Sequence, residues 1–211
     1  MLTNPKEFDV MCGLIPKPRR ENIWYFPIRQ NTKVPEVPKG TILKNNLSYR
    51  LSRIEADKRL HWGSNIGIYA LSGGLMFVDF DTDEMGCFLA SKEYRDQFNE
   101  TFTVLTPSKG IHLYYLNDGE YPNQNLYEGD IQVGELRTDW FYVVAVGSFK
   151  NEPYKILKES SINKFEYKPE MGIRVNGEPI TKVRKDEYKN GKHITKEEYL
   201  RKTKDRRRIK L

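Results

Sequence analysis

Leu75-Met76-Phe77-Val78-Asp79-Phe80-Asp81 decides how this chain is read. Four apolar residues lead into two carboxylates separated by one phenylalanine. Side chains along a strand alternate between faces, so Asp79 and Asp81 share a face while the apolar residues anchor the strand. Two carboxylates side by side at a strand end repel each other, and a divalent cation between them relieves the repulsion. Hard cations such as Mg²⁺ and Mn²⁺ prefer such oxygen ligands. A strand running into an acidic loop, with Asp83 and Glu84 next, is the plainer alternative.

Upstream, the apolar run Asn65 to Leu71 is separated from this strand by Ser72-Gly73-Gly74, a hairpin signal. Residues 24–28 read as a first strand whose Pro27 is of the edge type. A loop rich in Pro and Lys follows through Lys33, Pro35 and Pro38. Leu47, Leu51 and Ile54, continuing to Lys58 and His61, predict one helix face, with Ser48 as N-cap. Downstream, residues 85–99 read as a helix. Thr101 to Thr106 and Ile111 to Leu116 read as strands joined by Pro107-Ser108-Lys109-Gly110. Residues 131–136 and 141–146 form a further expected pair around Arg137-Thr138-Asp139-Trp140, and Tyr154 to Leu157 an edge strand. Hairpins interrupted by a few helices predict an α+β class: an RRM-like, mainly antiparallel sheet flanked by helices, with an N-terminal α/β lobe.

The 211 residues suffice for one well-buried domain, and 38% hydrophobic with 30% charged residues describes a globular chain with a highly charged surface. No apolar run approaches the roughly 20 residues that span a bilayer, and the N-terminus has no signal-like apolar core. The expected location is cytoplasmic, with no membrane partner. Two distant cysteines, Cys12 and Cys87, supply neither a disulfide framework nor a Cys-x-x-Cys zinc site. The net charge of +6 is unevenly spread. Lys182 to Leu211 holds 13 basic and 5 acidic residues, a charge of +8, which leaves −2 on residues 1–181. The expected organisation is a catalytic domain over 1–181 and a basic tail over 182–211, partly helical from the capping-box-like Thr195-Lys196-Glu197-Glu198. That tail reads as an electrostatic arm for nucleic acid or as a merely solvated terminus.

Two more residues join the acidic pair. His112 opens a strand just after a Ser-Lys-Gly turn, where its ring, Lys109 and the turn's N–H groups suit a phosphate; a half-buried strand histidine is the plain reading. Glu135 ends the strand Asp130 to Glu135. In the order Asp-x-Asp, His, Glu on short strands of one sheet, these residues compose a three-carboxylate site suited to two-metal phosphoryl transfer.

These segments resemble the archaeo-eukaryotic primase superfamily. Gly73 to Asp81 resembles its first motif. Thr106-Pro107-Ser108-Lys109-Gly110-Ile111-His112 resembles its second, whose histidine binds nucleotide phosphates. Glu135-Leu136-Arg137 with Tyr142 to Ser148 resembles its third, and Phe26, Pro27, Ile28 and Lys33 its opening strand and lysine. The likeness extends over roughly residues 24–148 and is greatest to the primase-polymerase domain of archaeal plasmid and virus replication proteins. It implies a primase-polymerase fold and template-dependent nucleotidyl transfer in plasmid or viral DNA replication. Asp79, Asp81 and Glu135 would be the catalytic, metal-binding acids for Mg²⁺ or Mn²⁺. His112, Ser108, Lys109 and Arg137 would contact nucleotide. DNA template, primer and (deoxy)nucleoside triphosphates would be the partners. Trp140, Phe141 and Tyr115 are candidates for base stacking or for core packing. Departures exist: Glu135 stands where Asp is frequent, Gly110 stands two before His112, and a zinc loop is missing. No Gly-x-x-x-x-Gly-Lys-Ser/Thr motif occurs, so a helicase would be either a separate partner or a domain outside this stretch of sequence. Rival readings are a non-catalytic RRM-like nucleic-acid-binding replication protein and another metal-dependent nuclease or nucleotidyl transferase.

Overall fold

The computed structural model describes residues 2–43, 46–80, 98, 100–128, 131–168, 173–174 and 180. The predicted helix over 85–99, Phe98 aside, and the basic tail lie outside the described residues, as does Asp81.

The chain opens with helix α1, Pro5–Leu14, with proline in its first turn, where a missing N–H costs nothing. Its buried Phe8, Met11 and Cys12, continued by Ile15, follow the spacing i, i+3, i+4, i+7. Strand β1, Tyr25–Ile28, comes next, then helix α2, Arg53–His61. Here the expectation needs correction. Ser48 lies in a short 3₁₀ turn, Leu47–Tyr49. Ser52 is the N-cap, in a reciprocal capping box with Glu55. The buried face is Ala56 and Leu60, and Ile54 is 68% exposed.

Strands β2, Asn65–Tyr69, and β3, Leu75–Phe80, flank the Ser72-Gly73-Gly74 turn. There follow β4, Thr103–Leu105; β5, Ile111–Leu116; β6, Gln124–Glu128; β7, Ile131–Arg137; and β8, Tyr142–Val144. Short strands complete the set: β9, Phe149–Lys150; β10, Glu152–Pro153; β11, Lys155–Lys158; β12, Asn163–Lys164; and β13, Ile173–Arg174. A three-stranded sheet has the order β1-β2-β8. An eight-stranded sheet has the order β11-β4-β5-β3-β7-β6-β13, with β12 added parallel to β5. The other pairings are antiparallel, so the α+β class is as expected.

Two expected hairpins are not formed. The Gly73-Gly74 turn is tight, with Leu71 N–H donating to Leu75 O at 2.9 Å. Yet β2 pairs with β1 and β8, while β3 pairs with β5 and β7. The turn is instead a crossing between sheets, pinned by Gly73 N–H on Asn117 O and by the Asn22 amide on Gly73 O. The chain crosses back after β7: β8 pairs with β2, not with β7. Trp140 N–H donates to Ala70 O and Ala70 N–H to Phe141 O, so the two crossings are tied together.

Strand alternation splits the core. Leu75, Phe77, Val104 and Tyr114 pack with α1, α2 and the smaller sheet. Met76, Val78, Phe80 and Tyr115 pack on the other face with Leu113, Leu136 and Phe165. Asp79 therefore belongs to the face that looks toward the smaller sheet. Beside it, Gly134 leaves no room for a side chain, since a Cβ there would lie 2.2 Å from Asp79 O and 3.0 Å from Phe80 Cα. Gly134→Ala is expected to prise β7 from β3 and to destabilise the protein by about 1–3 kcal/mol in thermal or urea unfolding. An unchanged unfolding midpoint would show that the ladder yields freely there.

Candidate active site

The register places the three chemically marked residues in one row. Asp79 on β3 faces His112 on β5 on one side and Glu135 on β7 on the other. Arg137, two residues beyond Glu135 on the same strand, projects to the same face. His112 and Asp79 are both nearly sealed from solvent, at 4% and 6% exposure, while Glu135 and Arg137 are half-buried.

The contacts run between side-chain nitrogens and carboxylate oxygens. His112 Nε2 lies 3.3 Å from Asp79 Oδ1. Arg137 Nη2 bridges the acids, 2.7 Å from Asp79 Oδ2 and 2.8 Å from Glu135 Oε2. Its Nε also donates to Glu135 at 2.9 Å, and its Nη1 donates to the Tyr142 carbonyl of β8. Burial on its own would raise the pKa of Asp79. His112, by charge and hydrogen bond, then the charges of Arg137 and Lys33, outweigh it and hold the carboxyl at about 2, below its ordinary 3.8. A carboxyl depressed on folding stabilises above its unfolded pKa and loses that contribution as pH falls through the folded value. Asp79 is therefore expected to contribute about 2 kcal/mol above pH 4, lost between about pH 4 and pH 2. Asp79→Asn should unfold with a visibly shallower pH dependence across that window. Parallel curves for the two proteins would remove Asp79 from the acid transition.

Over this row lies a cavity of about 480 Å³, walled on one side by Asp79, His112, Glu135 and Arg137 and on the other by β8 and the turn before it. Lys33 and Tyr154 also line it. On two of its lining residues, the buried His112 Nδ1 and Tyr154 Oη have no hydrogen-bond partner among the described residues. Their rings are 5.9 Å apart. Leaving such atoms unmatched costs about 1–3 kcal/mol each.

Of the expected site residues, the structure gathers Asp79, His112, Glu135 and Arg137. Ser108 and Lys109 sit on the β4–β5 turn and are not among the cavity's lining residues. Lys109, at φ +73°, closes that turn in the left-handed region, and its Nζ pairs with Glu152 at 2.8 Å. The aromatic candidates divide. Tyr115 is fully buried on the opposite face, Trp140 lines the cavity while packing against Trp24 and Tyr69, and Phe141 lines the cavity with 47% of its surface exposed. Lys33 was legible only through the family likeness, and Tyr154 carried no local signal at all.

The carboxylates of Asp79 and Glu135 are oxygen donors of the kind a hard dication takes. Asp79 and Glu135 already hold one cationic nitrogen between their oxygens, and Asp81, the expected third acid, lies outside the described residues. Among the described residues no group of three or more His, Cys, Asp or Glu is arranged to hold a metal ion.

Sheet order, register and the placement of the row together make this an α+β primase-polymerase fold. Residues 19–171 match the family model of the bifunctional DNA primase/polymerase N-terminal domain, and the chain belongs to that family. The membership supports DNA primase/polymerase-type nucleotidyl transfer, with DNA and nucleotides as substrates. No curated protein matches the chain. Among the described residues no helix is long and apolar enough to cross a membrane.

Proposed function

We propose that the cavity is the site of template-dependent nucleotidyl transfer by a two-metal mechanism, with Asp79, Asp81 and Glu135 as the metal-binding acids. The observation that carries this is the row itself: His112, Asp79 and Glu135 on three adjacent strands, facing one cavity. Mg²⁺ or Mn²⁺ held there would activate the primer 3′-hydroxyl and stabilise the leaving pyrophosphate. His112, a lining residue oriented by Asp79 through Nε2, is the phosphate contact in this reading; its Nδ1 is buried and has no hydrogen-bond partner among the described residues. Lys33 and Arg137, which both line the cavity, supply positive charge near the acids, where triphosphate charge accumulates. Phe141 presents an exposed ring on which a base can stack. Lys109 reaches phosphate only on releasing Glu152, so with Ser108 it takes an outer role. The basic segment 182–211 serves as the sequence-independent contact to the DNA backbone. A plasmid or viral replication setting accords with this reading.

The test is incorporation of labelled nucleotides on a template, with and without a primer, in Mg²⁺ and in Mn²⁺. Templated extension is expected. A purified protein that binds DNA yet incorporates nothing in either ion would favour the non-catalytic RRM-like reading. His112→Ala is expected to weaken nucleotide binding about tenfold or more, the worth of one charge-assisted hydrogen bond, and to slow incorporation. If calorimetry finds nucleotide affinity intact and the variant merely melts earlier, His112 is structural.

A further inference from the structure

A second cavity, of about 390 Å³, opens on the other face of β1. Strand alternation separates the two. The Phe26 ring lies 5.1 Å from that of Tyr142, a wall residue of the acidic cavity. Its neighbour Tyr25 points the opposite way, against Phe8 of α1, and lines the second cavity. Cys12 lies at the same wall, its Sγ 3.4 Å from the Tyr25 hydroxyl.

The charged residues lining this cavity are arginines: Arg20, Arg50 and Arg53. Arg53 is neutralised by the Asp9 carboxylate. The other two are not. Arg20 is held by backbone carbonyls, donating to Ile15 O at 2.9 Å and Gly13 O at 3.1 Å. Arg50 donates to the carbonyls of Glu21 and Ile23, and its guanidinium lies 5.5 Å from the Trp24 ring centroid. Neither makes an ion pair among the described residues. The nearby acid Glu55 is tied to Ser52 in the capping box of α2. Carbonyls fix where these guanidinium groups sit without cancelling their charge, and each keeps N–H donors unused. Two oriented guanidinium groups lining one cavity, neither in an ion pair among the described residues, each offer the forked N–H donors that phosphate oxygens match. General basicity does not account for them, because residues 1–181 carry a net −2.

We infer that this arginine cavity is a phosphate-binding site, distinct from the acidic cavity, that holds a phosphate group of a nucleic-acid strand or of a free nucleotide. The inference does not depend on catalysis: the cavity can bind phosphate whether or not the acidic row transfers nucleotides.

Two probes distinguish the sources, pyrophosphate without divalent cations and a single-stranded oligonucleotide of about 20 nucleotides, long enough to span several phosphate contacts. Arginine modification by phenylglyoxal, mapped by peptide mass, reads the site directly in the full chain. At least one probe is expected to protect Arg20 and Arg50, while Arg59, paired with Glu36 elsewhere, stays equally reactive. Protection should persist in Asp79→Asn and His112→Ala, which disable the other cavity. Arg20→Gln with Arg50→Gln should weaken the protecting probe at least about tenfold, the equivalent of one charge-assisted hydrogen bond. If the probe is the oligonucleotide, the slope of log K against log salt should also fall by about 0.7 for each phosphate no longer neutralised. Protection by the oligonucleotide alone assigns the site to a strand, and protection by pyrophosphate assigns it to free nucleotide phosphates. Failure of both probes to protect the two arginines in the wild-type protein overturns the inference, whatever the fate of the variants.

Discussion

Asp79→Asn is expected to abolish nucleotide incorporation in a protein that remains folded. The change keeps the shape of the side chain and removes its charge. Asp79 is the residue on which the site converges, in contact with His112 through one oxygen and with Arg137 through the other. Without its charge the acids that would hold the metal are reduced to Asp81 and Glu135, and His112 loses the group that orients its ring. Losing metal-ion catalysis removes several kcal/mol of barrier lowering. At 1.36 kcal/mol per factor of ten, about 4 kcal/mol is a rate loss of roughly 10³-fold. Single-turnover extension on a primed template measures it, with circular dichroism as the check on folding. A folded Asp79→Asn protein extending primers near the wild-type rate would defeat the assignment.

The row was legible because strand chemistry is local. The period of two places Asp79 on a definite face, and the Ser-Lys-Gly turn marks where the strand of His112 begins. Which strands neighbour one another was not legible in the same way. Gly73-Gly74 between two apolar runs obeys every hairpin rule, yet the runs part into two sheets, since what separates them is pairing with strands distant in sequence. The same holds for Arg137 to Trp140, read as a hairpin turn and found as the second crossing. Helix α2 was placed too early because Leu47 and Leu51 share a spacing with Ile54. The capping box at Ser52 and Glu55 was the better marker. Helix α1 was missed although Phe8, Met11, Cys12 and Ile15 spell a helical face. Strand β6 has no such pattern; its Gln124-Asn125-Leu126-Tyr127-Glu128 is strand by virtue of its partner β7. Tyr154 reaches the cavity only through long-range packing, so nothing near it in sequence marks it.

Arg137→Ala should give a large change in stability, and one that divalent ions reverse. The guanidinium is the cation between two carboxylates on adjacent strands, one of them buried. Removing it leaves Asp79 and Glu135 facing each other. Breaking a fully buried pair costs about 3–5 kcal/mol; since Arg137 is 22% exposed, about 2–3 kcal/mol is the expectation. For a chain of this size that lowers the melting temperature by roughly 4–12 °C. Millimolar Mn²⁺ should restore most of the loss, because an ion bound by the folded state alone stabilises it. The wild-type protein should gain less, since its own guanidinium competes for the same oxygens. Incorporation should fall even where stability is restored, as the charge beside the phosphates is gone. Identical Mn²⁺-induced shifts in melting temperature for the two proteins would show that Arg137 does not stand in the cation's place.

Arg137 has a third attachment, the Tyr142 carbonyl in the wall across the cavity. One side chain thus belongs to two equilibria, the charge state of the acids and the docking of β8. Thermodynamic linkage makes them reciprocal: any ligand that draws Arg137 off the acids weakens its hold on the opposite wall by the same free energy with which a firmer wall would oppose that ligand. The width of the cavity and the affinity of its acids for cations are then one variable rather than two, and amide exchange along β8 is the observable in which their coupling registers.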